Sequence, residues 1–355
     1  MSIKKELNVI LITTITAFTP IACIGYAKLQ ATTIQPYAIK VDKTQLNQAS
    51  TRPQLNKLSN TTDIKSLLMA SLENNAPDID YQLTRFLTQK NDFKSAQAQR
   101  ENWNERVTVI RLLGEKKAEC ALDTLNGFLS KSNNISAIFN SAREIGRIGG
   151  GKAYNILQSV LNKPNSYRAK DRINAAIIGL GLCGNKYAIK MLIKILFDKN
   201  NDQLTRIYAA GSLGILGNKD GYTTALLGLK STNSKILTSA LTSLGFIADH
   251  QALEEVSSFN RQSVKYVIRK RAQLATAMIK SAGLSDKNKV DFIVDELNDN
   301  PTSTELVQWG TGELKSMNTS YSVKCLEELA LQKKLDFLSF IAYVKLKTLP
   351  NKTTN

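Results

Sequence analysis

The sequence predicts an all-α protein, a right-handed α-solenoid of stacked helix pairs with an atypical helical cap at each end. A leucine or isoleucine followed by glycine recurs with its glycine at positions 114, 146, 181, 214 and 245, at spacings of 32, 35, 33 and 31 residues. A period of this length on helical residues is typical of a solenoid. Between these glycines, apolar residues recur at helical spacing, and no stretch alternates apolar and polar residues as a strand would.

Each repeat joins two helices through a short polar turn. Small residues before the glycine, such as Ala209 and Ala210, allow neighbouring helices to approach closely. A second glycine, at positions 149, 184 and 217, stands where the first helix of the pair must end. Glycine forms the left-handed cap there at the least cost. Because no repeat can bury its apolar face alone, the repeats are expected to stack.

One repeat carries a family resemblance. Residues 206–218 follow the pattern Arg-x-x-Ala-Ala-x-x-Leu-Gly-x-Leu-Gly-Asn, which resembles the bacterial HEAT and phycobilin-lyase-type HEAT-like repeat. The resemblance extends over residues 104–281 and implies that the glycine-terminated helices line one, usually concave, face. It implies no activity, since such proteins range from scaffolds to lyase partners and DNA glycosylases. Glu115, Lys116 and Ala248 depart from the pattern, so irregular first and last repeats are expected.

The chain start has the features of a secretory signal peptide over residues 1–27. Lys4 and Lys5 precede an apolar stretch, and small residues around Ala27 suit signal peptidase. The apolar stretch is shorter than the roughly 20 residues of a membrane span. Export to the periplasm or cell envelope is therefore predicted. An uncleaved membrane anchor and a lipoprotein attached through Cys23 are the alternatives.

The remaining chain divides by composition and periodicity into five predicted segments. These are a flexible polar linker at 28–62, an N-terminal helical cap at 63–103, the HEAT-like solenoid at 104–282, C-terminal helical repeats and a cap at 283–349, and a tail at 350–355.

The chain is strongly basic, with 47 Lys and Arg against 30 Asp and Glu and a formal net charge of +17. Such an excess favours anionic partners, including an acidic protein surface or the surface of an anionic membrane. Solvated lysines on the outer helices are the simpler explanation for much of it. The four cysteines have no paired spacing, so no disulfide framework is expected.

The residues predict no catalytic, cofactor-binding or metal-binding site, and hence no enzyme. His250 is the only histidine and lies in a turn, which leaves a zinc site without its usual ligands. The glycine pattern at 179–184 matches a dinucleotide fingerprint in form, but a helix precedes it where that fingerprint needs a strand.

Candidate partner-binding residues are four arginines on the glycine-terminated helices: Arg143, Arg147, Arg172 and Arg206. An alternative for the last two is a structural role, in which they pair with carboxylates of adjacent repeats at Asp171, Asp198 or Asp202. Arg143 and Arg147 have only Glu144 as a near acid in the sequence, so they are the better candidates for a partner's anion.

These observations predict an exported, non-enzymatic HEAT-like scaffold that binds a protein or peptide partner through its concave face. One alternative is a basic nucleic-acid-binding protein resembling the alkylpurine DNA glycosylases, although the export signal argues against nucleic acid. A lyase-like maturation partner is the other alternative, which the resemblance permits and no residue supports.

Overall fold

The structure is a computed structural model that describes residues 68–349 with gaps at residues 69, 73–76, 90–95, 163–167, 262–263 and 332–336. The predicted signal peptide at 1–27, linker at 28–62 and tail at 350–355 lie outside the described residues. Within the described ranges, no helix combines the length and the apolar character needed to cross a membrane.

The described chain is helical, and no strand occurs in it, which confirms the predicted all-α class. The first half comprises α1 (Pro77–Thr88), α2 (Ala96–Glu115), α3 (Leu122–Lys131), α4 (Ile135–Ile148), α5 (Gly150–Leu161), α6 (Ala169–Leu182), α7 (Tyr187–Phe197) and α8 (Gln203–Ile215). The second comprises α9 (Tyr222–Gly228), α10 (Ser234–Ile247), α11 (Leu253–Ser258), α12 (Tyr266–Ser281), α13 (Asp286–Asp299), α14 (Thr304–Met317), α15 (Ser320–Ala330) and α16 (Phe337–Lys347).

The helices form two layers of a HEAT-like solenoid. The even-numbered helices from α2 to α16, here called the inner helices, pack one on the next along the chain. The intervening odd-numbered helices, here called the outer helices, pack against them. The residue before each periodic glycine is fully buried between the layers: Leu113, Ile145, Leu180, Leu213 and Leu244. These five residues therefore belong to the hydrophobic core that continues from one repeat to the next.

The periodic glycines are the points where successive inner helices touch. A Cβ atom on Gly146 would lie 2.3 Å from the carbonyl oxygen of Gly179, and one on Gly214 would lie 2.7 Å from the backbone nitrogen of Ile247. Neither space can hold a methyl group, so these glycines set the distance between neighbouring inner helices. The regular spacing of these glycines in the sequence thus corresponds to regularly repeated close contacts between neighbouring inner helices.

The predicted caps are present. Gly149, Gly184 and Gly217 have φ values of +75°, +67° and +78°, in the left-handed region that glycine enters at low cost. Lys117, which follows the departures at Glu115 and Lys116, has a left-handed φ of 54°, and the departure Ala248 has a φ of 53°. Helices α2 and α10 thus end with a residue other than glycine in the left-handed region of φ, and the irregular first and last repeats stay a prediction.

The N-terminal cap is continuous with the first repeat. Helix α2 runs without a break across the boundary predicted between residues 103 and 104. Leu68, Leu83 and Leu87 bury their side chains against it as part of the common core. The Lys116 ammonium lies 2.5 Å from Asp80 Oδ1 and 2.9 Å from Ser71 Oγ, which fastens the cap to the end of α2.

Candidate binding cavity

A cavity of about 1060 Å³ lies on the concave side of the inner helices. Its lining comes from every inner helix, and Asp80 on α1 is the one described lining residue that an outer helix contributes. This placement agrees with the implication of the family resemblance that the glycine-terminated helices form the concave face.

The two ends of the solenoid meet at Glu115, the last residue of α2. Its carboxylate accepts hydrogen bonds from the ammonium groups of Lys345 on α16 and Lys315 on α14, the latter at 2.9 Å. Lys315 also donates to the Glu115 carbonyl oxygen at 3.2 Å and to Thr348 Oγ1 at 2.8 Å. The C-terminal helices thus close the concave face into a ring.

The pKa of Glu115 reflects this arrangement. Burial alone would raise it, since only 12% of the side chain is exposed. Lys345, Arg147 and Lys315 outweigh burial and hold the pKa far below its ordinary value. Glu115 is therefore ionised at neutral pH. Burial in turn lowers the pKa of Lys345, and Glu115 opposes that shift.

A second carboxylate, Glu144 on α4, is fully buried behind Arg147. Both of its oxygens lie 3.1 Å from Arg147 Nη1, and the same nitrogen lies 3.4 Å from Glu115 Oε1. Room for Glu144 exists because Gly114 has no side chain: a Cβ there would lie 2.1 Å from Glu144 Oε2. Burial raises the pKa of Glu144, and Arg147 and Arg143 oppose that shift.

Positive charge predominates at this end of the cavity. Behind the lining, buried Arg111 has its pKa lowered to about 10 by burial and by the nearby charges of Arg143 and Arg147. Burial and the neighbouring cations both disfavour the charged form of this guanidinium. We call Arg147, Lys315 and Lys345 around Glu115, with Arg143 beside them, the seam cluster.

Helices α8, α10, α12 and α14 give the rest of the cavity a mixed lining of apolar, aromatic and hydroxyl side chains. The apolar and aromatic members are Tyr208, Ile215, Phe246, Leu274, Met278 and Trp309. A row along α10 supplies hydroxyl groups: Thr238, Ser239, Thr242 and Ser243. Arg271 lies 3.9 Å from Glu305 in this part, so its charge is balanced within the wall.

Comparison with known proteins found no matching family model and no matching curated protein. Among solved structures, the chain is similar to the complex of CpcE and CpcF of phycocyanin lyase from Nostoc sp. PCC7120, at 16% identity and a TM-score of 0.31, over 78% of this chain and 95% of that one. It is also similar to an engineered protein solved by the Northeast Structural Genomics Consortium, at 16% identity and a TM-score of 0.28, over 82% of this chain and 86% of that one. At these TM-scores the fold assignment rests on the helix pairs described above.

The four arginines predicted from sequence separate into two pairs. Arg143 and Arg147 line the cavity, whereas Arg172 and Arg206 are not among its described lining residues. Arg172 is buried and donates from Nε to the Leu129 carbonyl at 3.1 Å and from Nη2 to the Ser132 carbonyl at 2.8 Å. It therefore ties α6 to the end of α3, a structural role in which the carbonyl oxygens of Leu129 and Ser132 are partners.

Two of the three carboxylates proposed as partners of Arg206, Asp171 and Asp202, are engaged elsewhere. Asp202 pairs with Lys170 and accepts from the Thr205 backbone nitrogen at 2.7 Å as the N-cap of α8. Asp171 pairs with Arg168 at 3.1 Å. Within the described chain no salt bridge forms at Arg206, whose Nε is buried. Nothing places it at a partner surface.

Sequence reasoning missed Glu115, Lys315 and Lys345 as members of the site. Glu115 was noticed only as a departure from the repeat, and Lys315 has the pattern of an ordinary solvated lysine. Lys345 did carry a signal, because it continues the buried stripe of Leu338, Ile341 and Ala342 on α16. A lysine on a buried stripe needs an anion, and here Glu115 supplies it.

Proposed function

We propose that this chain is an exported, non-enzymatic HEAT-like repeat protein that binds a segment of a partner protein or peptide in its cavity, in the periplasm or cell envelope. The observation that carries the proposal is the cavity itself. Its wall takes side chains from every inner helix, and its volume of about 1060 Å³ lies at the upper end of the range for small-molecule pockets, which leaves room for a short peptide segment.

The chemistry of the wall supports a peptide as occupant. Phe246 and Trp309 offer apolar contact area, and the amide of Gln308 offers a donor and an acceptor. Three of the four α10 hydroxyls donate their protons to backbone carbonyls, so their oxygens are available as acceptors. A peptide presents both apolar side chains and backbone amides that need such partners. Concave solenoid faces provide extended binding surfaces of this kind. The proposal of export rests on residues 1–27 alone.

A photo-crosslinking pair tests the proposal. Phe246 is 37% exposed in the cavity, and Phe197 is 63% exposed on the outer helix α7, so both accept benzoylphenylalanine. Crosslinking in cells should give a discrete higher-mass protein adduct from position 246 and none from position 197. Mass spectrometry would identify the adduct.

Two results would overturn the proposal. An adduct of the same mass from both positions would mean that the partner does not distinguish the cavity from the outer surface. Absence of any protein adduct from position 246, in a variant that retains its helical circular dichroism spectrum, would mean that no protein segment enters the cavity.

A further inference from the structure

The seam cluster holds more positive than negative charge. Three cations, Arg147, Lys315 and Lys345, converge on the single carboxylate of Glu115. Glu144 offsets one of them from behind, through Arg147. The other lining carboxylates are engaged away from the cluster: Asp80 binds Lys116, Glu305 lies against Arg271 and Glu313 binds Lys289. The excess positive charge at the seam cluster is therefore not neutralised by these carboxylates, and it lies in a partly buried site.

Burial makes this excess costly in the empty cavity. Lys345 is 8% exposed, and water therefore compensates its charge poorly. Ammonium and guanidinium groups bind carboxylates through short, charge-assisted hydrogen bonds. Lys315, by contrast, keeps 17% of its side chain exposed and Arg147 keeps 37%. An anion entering from the cavity can therefore reach both.

We propose that the seam cluster is a subsite for a carboxylate side chain of an acidic peptide segment, seated beside the apolar wall of the cavity. The inference rests on the proposed function and specifies the chemistry of the partner. Arg147 comes from α4 near the start of the solenoid and the two lysines from α14 and α16 near its end. The subsite therefore exists only when the ring is closed.

The charge of the chain argues against its own linker as the occupant. Residues 28–62 contain Lys28, Lys40, Lys43, Arg52 and Lys57 but only one acidic residue, Asp42. A segment with that balance would add to the positive charge at the seam cluster. An acidic segment of a different protein would neutralise it.

Fluorescence anisotropy with two hexapeptides on the full-length mature chain tests the subsite. The probe is a labelled peptide that alternates glutamate with phenylalanine and leucine, and its control has glutamine at each glutamate. The glutamate peptide should bind at least about tenfold more tightly at low salt, and raising the ionic strength should reduce that ratio.

Single substitutions locate the effect. Lys315→Gln should bring the glutamate peptide to the affinity of the glutamine peptide, and Lys315→Arg should restore most of the difference. Arg143→Gln, which leaves the ring-closing pairs intact, should weaken the glutamate peptide several-fold. Lys190→Gln, on the exposed face of the outer helix α7, removes the same charge and should leave both affinities unchanged.

The outcomes separate the subsite from the proposed function. Equal affinity for the two peptides, no binding of either, or an equal loss from Lys190→Gln would each refute the subsite. So would phosphatidylglycerol vesicles that displace the glutamate peptide, since they would make a lipid headgroup the ligand. If the subsite is refuted while position 246 still crosslinks a protein, the proposed function stands without it. If the crosslink also fails, both fall.

Discussion

The ammonium of Lys345 binds the carboxylate of Glu115 across a sequence separation of 230 residues. Repeats of an open solenoid contact only their neighbours, so its ends are independent of each other. In this chain, one carboxylate joins the end of the first glycine-terminated helix to the last helix. Glu115 therefore holds the two ends of the solenoid together and also lines the cavity.

Replacing Glu115 by glutamine should destabilise the protein by roughly 3 kcal/mol, because it leaves Lys345 buried without its anion. Urea unfolding followed by circular dichroism measures the change. The control is Asp123→Asn, which breaks an exposed pair with Lys152 and should have little effect. Equal effects of the two substitutions would show that closure contributes nothing to stability.

The stability difference between the wild type and Glu115→Gln should depend on pH. The pKa of Glu115 in the folded protein lies far below its ordinary value near 4.5. Its stabilising effect is therefore complete above the pKa of the unfolded chain and declines as the pH falls below it. The difference should shrink between pH 6 and pH 3. A difference that is constant over this range would contradict the assigned ion pairs.

The contribution of Glu144 to stability should change with pH in the opposite direction. Its pKa is raised by burial, so its ionised form opposes folding and protonation relieves that cost. Relative to Glu144→Gln, the wild type should therefore gain stability as the pH falls through the raised pKa. Melting temperatures of both proteins, measured at each pH, test this. If the wild type instead loses stability relative to Glu144→Gln as the pH falls, the attraction of Arg147 for the carboxylate outweighs the cost of burial.

Gly146→Ala should destabilise the protein by about 1–3 kcal/mol, since the added methyl group would collide with the Gly179 carbonyl and force two inner helices apart. Gly127→Ala is the matched control, because its Cβ meets nothing within 4 Å in the interior of α3. That change should stabilise by about 0.5–1 kcal/mol through helix propensity. Melting temperatures should move in opposite directions, and a fall in both would contradict the contact.

Ala248→Gly should stabilise the protein by about 1 kcal/mol, since Ala248 has a φ of +53° that costs an L-residue energy and glycine little. Gly217→Ala is the mirror experiment at the equivalent cap, where a Cβ would meet nothing within 4 Å, and it should destabilise by a similar amount. If Ala248→Gly lowers the melting temperature, side-chain contacts and not backbone strain decide this position.

Export is tested separately from binding. A reporter that works only outside the cytoplasm, fused after residue 62, should be active, and the mature chain should begin near Lys28. A chain that still begins at Met1 would favour the membrane anchor. Lipid on Cys23 would favour the lipoprotein.

The sequence allowed prediction of what is local and periodic. The close contacts at the periodic glycines and the glycine caps both follow from packing between consecutive repeats. The meeting of Glu115 with Lys315 and Lys345 could not be predicted in the same way, because it depends on curvature accumulated over all the intervening helices. The contacts of Arg172 could not be predicted either, because every residue has a backbone carbonyl oxygen and the sequence does not indicate which of them an arginine will bind.

Closure at Glu115 also sets how many repeats the chain can have. An open solenoid can gain or lose one helix pair and remain folded, because each pair contacts only its neighbours. Here an inserted or deleted pair would move Lys315 and Lys345 by a full step around the arc and away from Glu115. For protein engineers, a change in repeat number in this scaffold is therefore expected to break the ion pairs at Glu115, a loss that an open solenoid would not suffer.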